Sequence, residues 1–216
     1  MLYATSNRGK MMEVERLFGV YGVEVVSPRD LEIEMEVPET GKTLEENAAI
    51  KARAWRERLK SLKGERAEGL IIMADDTGLE IDALGGEPGV KVRRWKDGVT
   101  PMSDEEIVAY CLERMQAIPP EARGAQLRIV ITLVFPESEE VEYFDGRLRG
   151  LILMEPRGEM TKGLPFEILF YVPEWEKVLG DVRRLPDEEK MKYATHREIA
   201  TEKALERILE WMARDT

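Results

Sequence analysis

Cysteine and histidine are nearly absent from this 216-residue chain, which holds one of each. A lone Cys111 excludes an internal disulfide and any cysteine-cluster metal site, and its place among Ile107, Val108 and Leu112 in a helical pattern makes it a small buried thiol. A lone His196 cannot anchor a zinc site of the usual kind. No apolar run approaches the roughly 20 residues of a membrane span. The chain opens on Met1-Leu2-Tyr3-Ala4-Thr5, without a basic segment leading into an apolar one, so a cytoplasmic protein is expected. Basic residues are in the minority, 32 against 43 acidic ones, for a formal charge of −11. The mean field therefore repels DNA, RNA and acidic membranes, no such partner is expected, and any bound phosphate must be held locally. Repeats, low-complexity tracts and linkers are missing too. One domain over residues 1–216 is expected, with 43% hydrophobic residues to supply its core.

The patterns that are present alternate between strands and helices. Residues 2–5 read as a short buried strand, and Arg8 to Phe18 as a helix with Met11, Val14, Leu17 and Phe18 on one face. Val23–Val26 reads as a second strand, followed by an irregular acidic stretch to Lys42. Thr43-Leu44-Glu45-Glu46 has capping-box spacing, and Leu44, Ala48, Ala52, Trp55, Leu59 and Leu62 recur at helical intervals after it. Leu70-Ile71-Ile72-Met73 has the length of a fully buried strand and runs out at Asp75-Asp76. Gly85 to Gly89 marks a tight turn and Asp104 to Met115 a helix. Strands are expected at Leu127–Phe135, Val141–Phe144 and Leu148–Met154, broken by Pro136 and Asp145-Gly146, and a last helix from about Arg197 to Met212.

Three segments hold residues suited to phosphate chemistry. Thr5-Ser6-Asn7-Arg8-Gly9-Lys10 joins a strand to a helix, where backbone N–H groups and the positive helix end favour an anion. Arg8 and Lys10 oppose the helix dipole, which a bound phosphate would offset; an ordinary polar N-cap with two solvated cations explains the loop equally well. The loop is not a P-loop, since it lacks that motif's glycine spacing. Asp75 and Asp76 are adjacent acids that repel unless a cation, hydrogen bonds or solvent relieves them, and magnesium, which takes one or two carboxylates with water and phosphates, suits them. The plainer alternative is a turn cap beside a solvated acid. Glu46 and Glu45 have roles at a helix start, whereas Glu39 lies outside that helix and is the better further metal ligand.

Together these segments resemble the inosine triphosphate pyrophosphatase family, which removes non-standard purine nucleotides. The opening Thr5 to Lys10 is similar to that family's Thr-Gly-Asn-x-x-Lys; Glu39 to Ala48 with Lys51-Ala52 is similar to its Glu-Thr-Gly-x-Thr-Phe-x-Glu-Asn-Ala and Lys-Ala; and Ala74 to Val90 is nearly its signature. The resemblance implies a catalytic, metal-linked Asp76 and a phosphate-gripping Lys10. Metal ligands Glu39, Asp76 and Asp75 would hold Mg2+, with Thr5, Ser6, Asn7, Arg8, Lys51 and Thr77 beside the nucleotide. Leu164, Phe166, Glu167, Lys190, His196 and Arg197 would serve the base side. It also implies an elongated α/β fold with a long central mixed sheet, helices around it, two lobes flanking an active-site cleft, and a homodimer.

The departures gather mainly in one segment. Where the family has Gly-Phe-Gly-Tyr-Asp-Pro-x-Phe, this chain reads Gly163-Leu164-Pro165-Phe166-Glu167-Ile168-Leu169-Phe170, so the stacking ring has become Leu164 and the base-side Asp the longer Glu167. Lys190 and Lys192 lie five and three positions before Thr195, where the family spacing is four. The expected activity is metal-dependent hydrolysis of a purine triphosphate to monophosphate and pyrophosphate, with altered base selection. The alternatives are a nucleotide sensor that has lost turnover and a Maf-like pyrophosphatase, against which the Ala-Asp-Asp-Thr-Gly block argues.

Overall fold

A computed structural model describes residues 1–62, 69–136 and 138–214. They form an α/β fold on a seven-stranded mixed sheet. In chain order the elements are β1 (Leu2–Tyr3), α1 (Arg8–Gly19), α2 (Leu44–Ser61), β2 (Ile72–Ile81), β3 (Pro88–Gly89), α3 (Asp104–Arg114), β4 (Gly124–Val134), β5 (Glu142–Ile152), β6 (Phe170–Val172), β7 (Lys177–Val178), α4 (Leu179–Arg183), α5 (Asp187–Lys190) and α6 (His196–Met212). The sheet order is β1-β2-β4-β5-β6-β7, with β3 paired to β2. β1 lies parallel to β2, Tyr3 opposite Met73, while β5–β6 and β6–β7 are antiparallel. Among the described residues no helix is long and apolar enough to cross a membrane.

Two compact units share the chain. The first comprises residues 1–76, 129–146 and 198–216, the second 77–128 and 147–197. Within the first, strand alternation sorts the side chains onto two faces. Tyr3, Ile71, Met73, Ile129, Ile131 and Leu133 join Met11, Val14 and Phe18 of α1 and Ala200, Ala204, Leu205 and Ile208 of α6 in one core. Leu2, Ile72, Ala74 and Val134 join Ala52, Trp55 and Leu59 of α2 in the other. Continuing that alternation puts Asp75 on the side of Tyr3 and α1, and Asp76 on the side of α2. Two adjacent acids thus belong to opposite faces of one strand, each with partners of its own.

The second unit has one core. Leu79, Ile81, Trp95, Ile107, Cys111, Met115, Leu127, Leu148 and Phe170 are among its members. Cys111 is fully buried, and burial pushes its thiol up to about 12, as befits an inert packing residue.

Four sequence expectations need correction. The expected strand Val23–Val26 shrinks to a single bridge of Val26 with Leu2. Of the run Leu70–Met73 only Ile72 and Met73 belong to β2, which continues through Asp75 and Asp76 to Ile81, so the carboxylates stand within a strand and not at its exit. The strand persists because Leu79 and Ile81 are fully buried and both acids find partners on their own faces. Asp145-Gly146 is no turn: β5 runs unbroken from Glu142 to Ile152, 11 residues long like its neighbour β4, whose pairing overrides the local turn preference. The Thr43 hydroxyl caps α2 by accepting from Glu46 N at 3.1 Å, but the Glu46 carboxylate accepts from Lys42 N, one residue before the position a capping box requires.

Candidate active site

Asp75 is 3% exposed and has both oxygens engaged: Oδ1 accepts from the Tyr3 hydroxyl at 2.7 Å and Oδ2 from Lys10 Nζ at 2.6 Å. Tyr3 is supplied by β1, whose register opposite Met73 fixes its ring beside β2. Lys10 is supplied by the first turn of α1. That turn is capped by Asn7, whose Oδ1 accepts from Gly9 N at 2.9 Å and Lys10 N at 3.2 Å, while Thr5 Oγ1 accepts from Asn7 N. The loop is therefore a well-formed N-cap that aims a lysine at a buried carboxylate. Ser6 and Arg8 stay exposed beside it.

Asp76 faces α2. Its Oδ2 accepts from Asn47 Nδ2 at 3.0 Å, and its Oδ1 lies 3.7 Å from Lys51 Nζ. Lys51 in turn donates to Glu39 Oε1 at 2.9 Å. Burial pushes the Asp76 carboxyl up to about 6, against the pull of Lys51 and the Asn47 amide, with Glu39 and Asp75 adding to the rise. Burial opposes the charge on Lys51, but the fields of Asp75, Asp76 and Glu39 outweigh it and raise its pKa. Asn47 does double service, since its Oδ1 accepts from Gly41 N at 2.7 Å. One buried amide thereby ties the loop that carries Glu39 to the carboxylate of Asp76.

Among the described residues no three His, Cys, Asp or Glu side chains group so as to hold a metal by themselves. Glu39 and Asp76 nevertheless share one cation, and two carboxylates completed by water and phosphate oxygens are what magnesium takes. The donor set fits that ion. Asp75, occupied by Tyr3 and Lys10, is a neighbour of this pair and lies on the other face of β2.

The residues expected beside the base lie in the second unit. Thr77 follows Asp76 on β2 and is half-buried. Pro165 to Ile168 form a 3-10 turn in which Glu167 is 3% exposed and bound through Oε1 to Arg183 Nε. Phe166 lies in the core, edge-on to Trp95 with centroids 6.3 Å apart, and Leu164 is half-buried. Lys190 makes a local pair with Asp187 on α5 at 3.2 Å. His196 and Arg197, each 6% exposed, form the first turn of α6.

The Ham1 family model matches residues 1–207. The chain belongs to the Ham1 family. It is 39% identical to a dITP/XTP pyrophosphatase of Symbiobacterium thermophilum over 96% of this chain and 94% of that one, and 34% identical to one of Bacillus cereus over 98% and 95%. Among solved structures it is similar to the Staphylococcus aureus Ham1 protein, with a TM-score of 0.76, 30% identity and 97% of each chain covered. A dITP/XTP pyrophosphatase from Mycobacterium abscessus gives a TM-score of 0.67 at 35% identity, covering 96% of this chain and 97% of that one. The family resemblance read from residues 5–10, 39–52 and 74–90 is thus borne out, as is the α/β fold with its mixed sheet.

Two residues of the site went unnoticed in the sequence. Tyr3 carried a signal, because a tyrosine in a buried strand must find a partner for its hydroxyl. Asn47 carried another: it interrupts the apolar face of α2 between Leu44 and Ala48, and a buried amide there needs two polar partners.

Proposed function

We propose that the protein hydrolyses non-standard purine nucleoside triphosphates such as ITP, dITP and XTP to the monophosphate and pyrophosphate, with magnesium as the metal. The observation that carries this reading is the grouping of the Glu39 and Asp76 carboxylates around the Lys51 ammonium, in a family whose relatives include named dITP/XTP pyrophosphatases. Asp76 orients a water molecule and accepts its proton as the water oxygen bonds to phosphorus at the α–β bridge. The bridging P–O bond breaks, and its electron pair leaves with pyrophosphate. Lys10 and Lys51 offset the charge that gathers on the phosphate oxygens. A magnesium ion held by Glu39 and Asp76 would polarise a phosphoryl oxygen when bound. His196 and Arg197 donate to a 6-keto group, so an amino purine is rejected. A cytoplasmic location and a homodimer complete the reading, the homodimer resting on the resemblance.

The test is a pyrophosphate-release assay with magnesium and a panel of ITP, dITP, XTP, GTP and ATP. We expect pyrophosphate from the keto purines and little from ATP. Orthophosphate as product would overturn the bond assignment, and binding without turnover would make the protein a sensor. Asp76→Asn should lower kcat by about 10²-fold or more, the scale of a positioned general base, and Lys10→Ala should chiefly raise KM.

A further inference from the structure

Lys51 stands where its charge competes with a metal. Glu39 reaches it from the acidic loop before α2 and Asp76 from β2, so its ammonium lies 2.9 Å from one carboxylate and 3.7 Å from the other. A magnesium ion bound by both would sit about 2.0–2.1 Å from each oxygen, in the space between those same two carboxylates. An ammonium and a divalent ion cannot both fill it. Lys51 has a second class of partner available, because its flexible four-carbon stem can carry the charge to a phosphate oxygen without moving α2.

We propose that Lys51 is an internal counter-cation that keeps Glu39 and Asp76 from binding a metal alone, and that nucleotide phosphates release both carboxylates by drawing the ammonium away. This rests on the metal-dependent reading above. The protein then takes metal and triphosphate together, and by reciprocity each tightens the other by the same factor. Asn47 keeps Asp76 in place during the exchange, since its bonds to Asp76 and Gly41 do not involve Lys51.

The experiment measures Mn2+ binding by water-proton relaxation, first with the metal alone and then with α,β-imido-ITP, the metal's own affinity for the analogue being measured separately. Wild type should bind Mn2+ weakly alone and at least about tenfold more tightly with the analogue, within the usual range of such couplings. Lys51→Met should bind Mn2+ alone at least about tenfold more tightly than wild type, whereas Lys51→Arg, which keeps the cation, should resemble wild type. Equal Mn2+ affinity in wild type and Lys51→Met overturns the proposal. Tight Mn2+ binding by wild type alone, lost in Glu39→Gln, overturns it while leaving the metal site standing. Absence of Mn2+ binding in every arm removes the metal-dependent reading as well. Should Lys51→Met not fold, the wild-type comparison with and without the analogue decides.

Discussion

Asp76 bears a stability cost that its neutral isostere would lack. Burial holds its carboxyl at about 6, above its ordinary value of 3.8, so the native state binds the proton more tightly than the unfolded chain. The sign follows: the stability associated with this group is present at low pH and is lost as pH rises from about 4 through 6. At about 1.4 kcal/mol per tenfold change in proton affinity, the ionised form costs about 3 kcal/mol at neutral pH. Asp76→Asn in the presence of a chelator is therefore expected to be more stable than wild type at pH 7 by that order, with the gap closing toward pH 4. Urea denaturation at the two pH values checks it, and a variant less stable at pH 7 would show that the charge itself supports the fold. Asp75, on the other face of β2, has a phenol and an ammonium as partners for its two oxygens. Tyr3→Phe leaves a buried acceptor short of a donor, and about 1–3 kcal/mol of stability should be lost in the same measurement.

At the scale of elements, the start of α2 and the loop before it form one device. Gly41 approaches the helix so closely that an added Cβ would stand 2.7 Å from Asn47 Oδ1 and from Glu46 Cβ, and 2.9 Å from Asn47 N. Any larger residue must push the loop away from Asn47, and with it Glu39. Gly41→Ala and Asn47→Ala are both expected to weaken metal activation by about 10–100-fold, the usual effect of removing a partner that orients a ligand, with a smaller change in KM for the nucleotide. Activity titrated against magnesium at fixed nucleotide measures it; an unchanged midpoint in both variants would mean that Asn47 only braces the helix. The sequence showed this device in part. Helix α2, its Thr43 cap and the separate standing of Glu39 were legible because apolar spacing and capping chemistry are local. The passage of β2 through Asp75-Asp76 was not, since it depends on what Tyr3, Lys10, Asn47 and Lys51 bring to the two faces. Nor was the unbroken β5, where pairing with β4 outweighs an Asp-Gly turn signal. In the segment 163–170, Glu167 was legible as a departure but its Arg183 partner, 16 residues away, was not.

For the whole molecule, the balance of charge sets how a polyanionic substrate arrives. The formal charge is −11 and the pI about 4.9, so at distances beyond the site the protein repels a triphosphate. The cations proposed to meet phosphate give little long-range attraction, because Lys10 is paired with Asp75, and Lys51 with Glu39 and Asp76. Enzymes that steer charged substrates lose kcat/KM steeply as salt is added; here the field to be screened is repulsive. Raising the ionic strength from about 0.01 M to about 0.1 M shortens the Debye length from about 30 Å to about 10 Å, which removes most of the long-range repulsion and leaves the contacts within the site. We therefore expect kcat/KM for ITP, at saturating magnesium and constant pH, to hold level or rise by a few-fold over that range. Chloride added as its potassium and then its tetramethylammonium salt separates screening from specific ion binding. A steep fall in both salts would mean that the local positive field of Lys10, Lys51 and Arg8 reaches beyond the site and dominates the approach, despite the eleven-charge excess of acid over base.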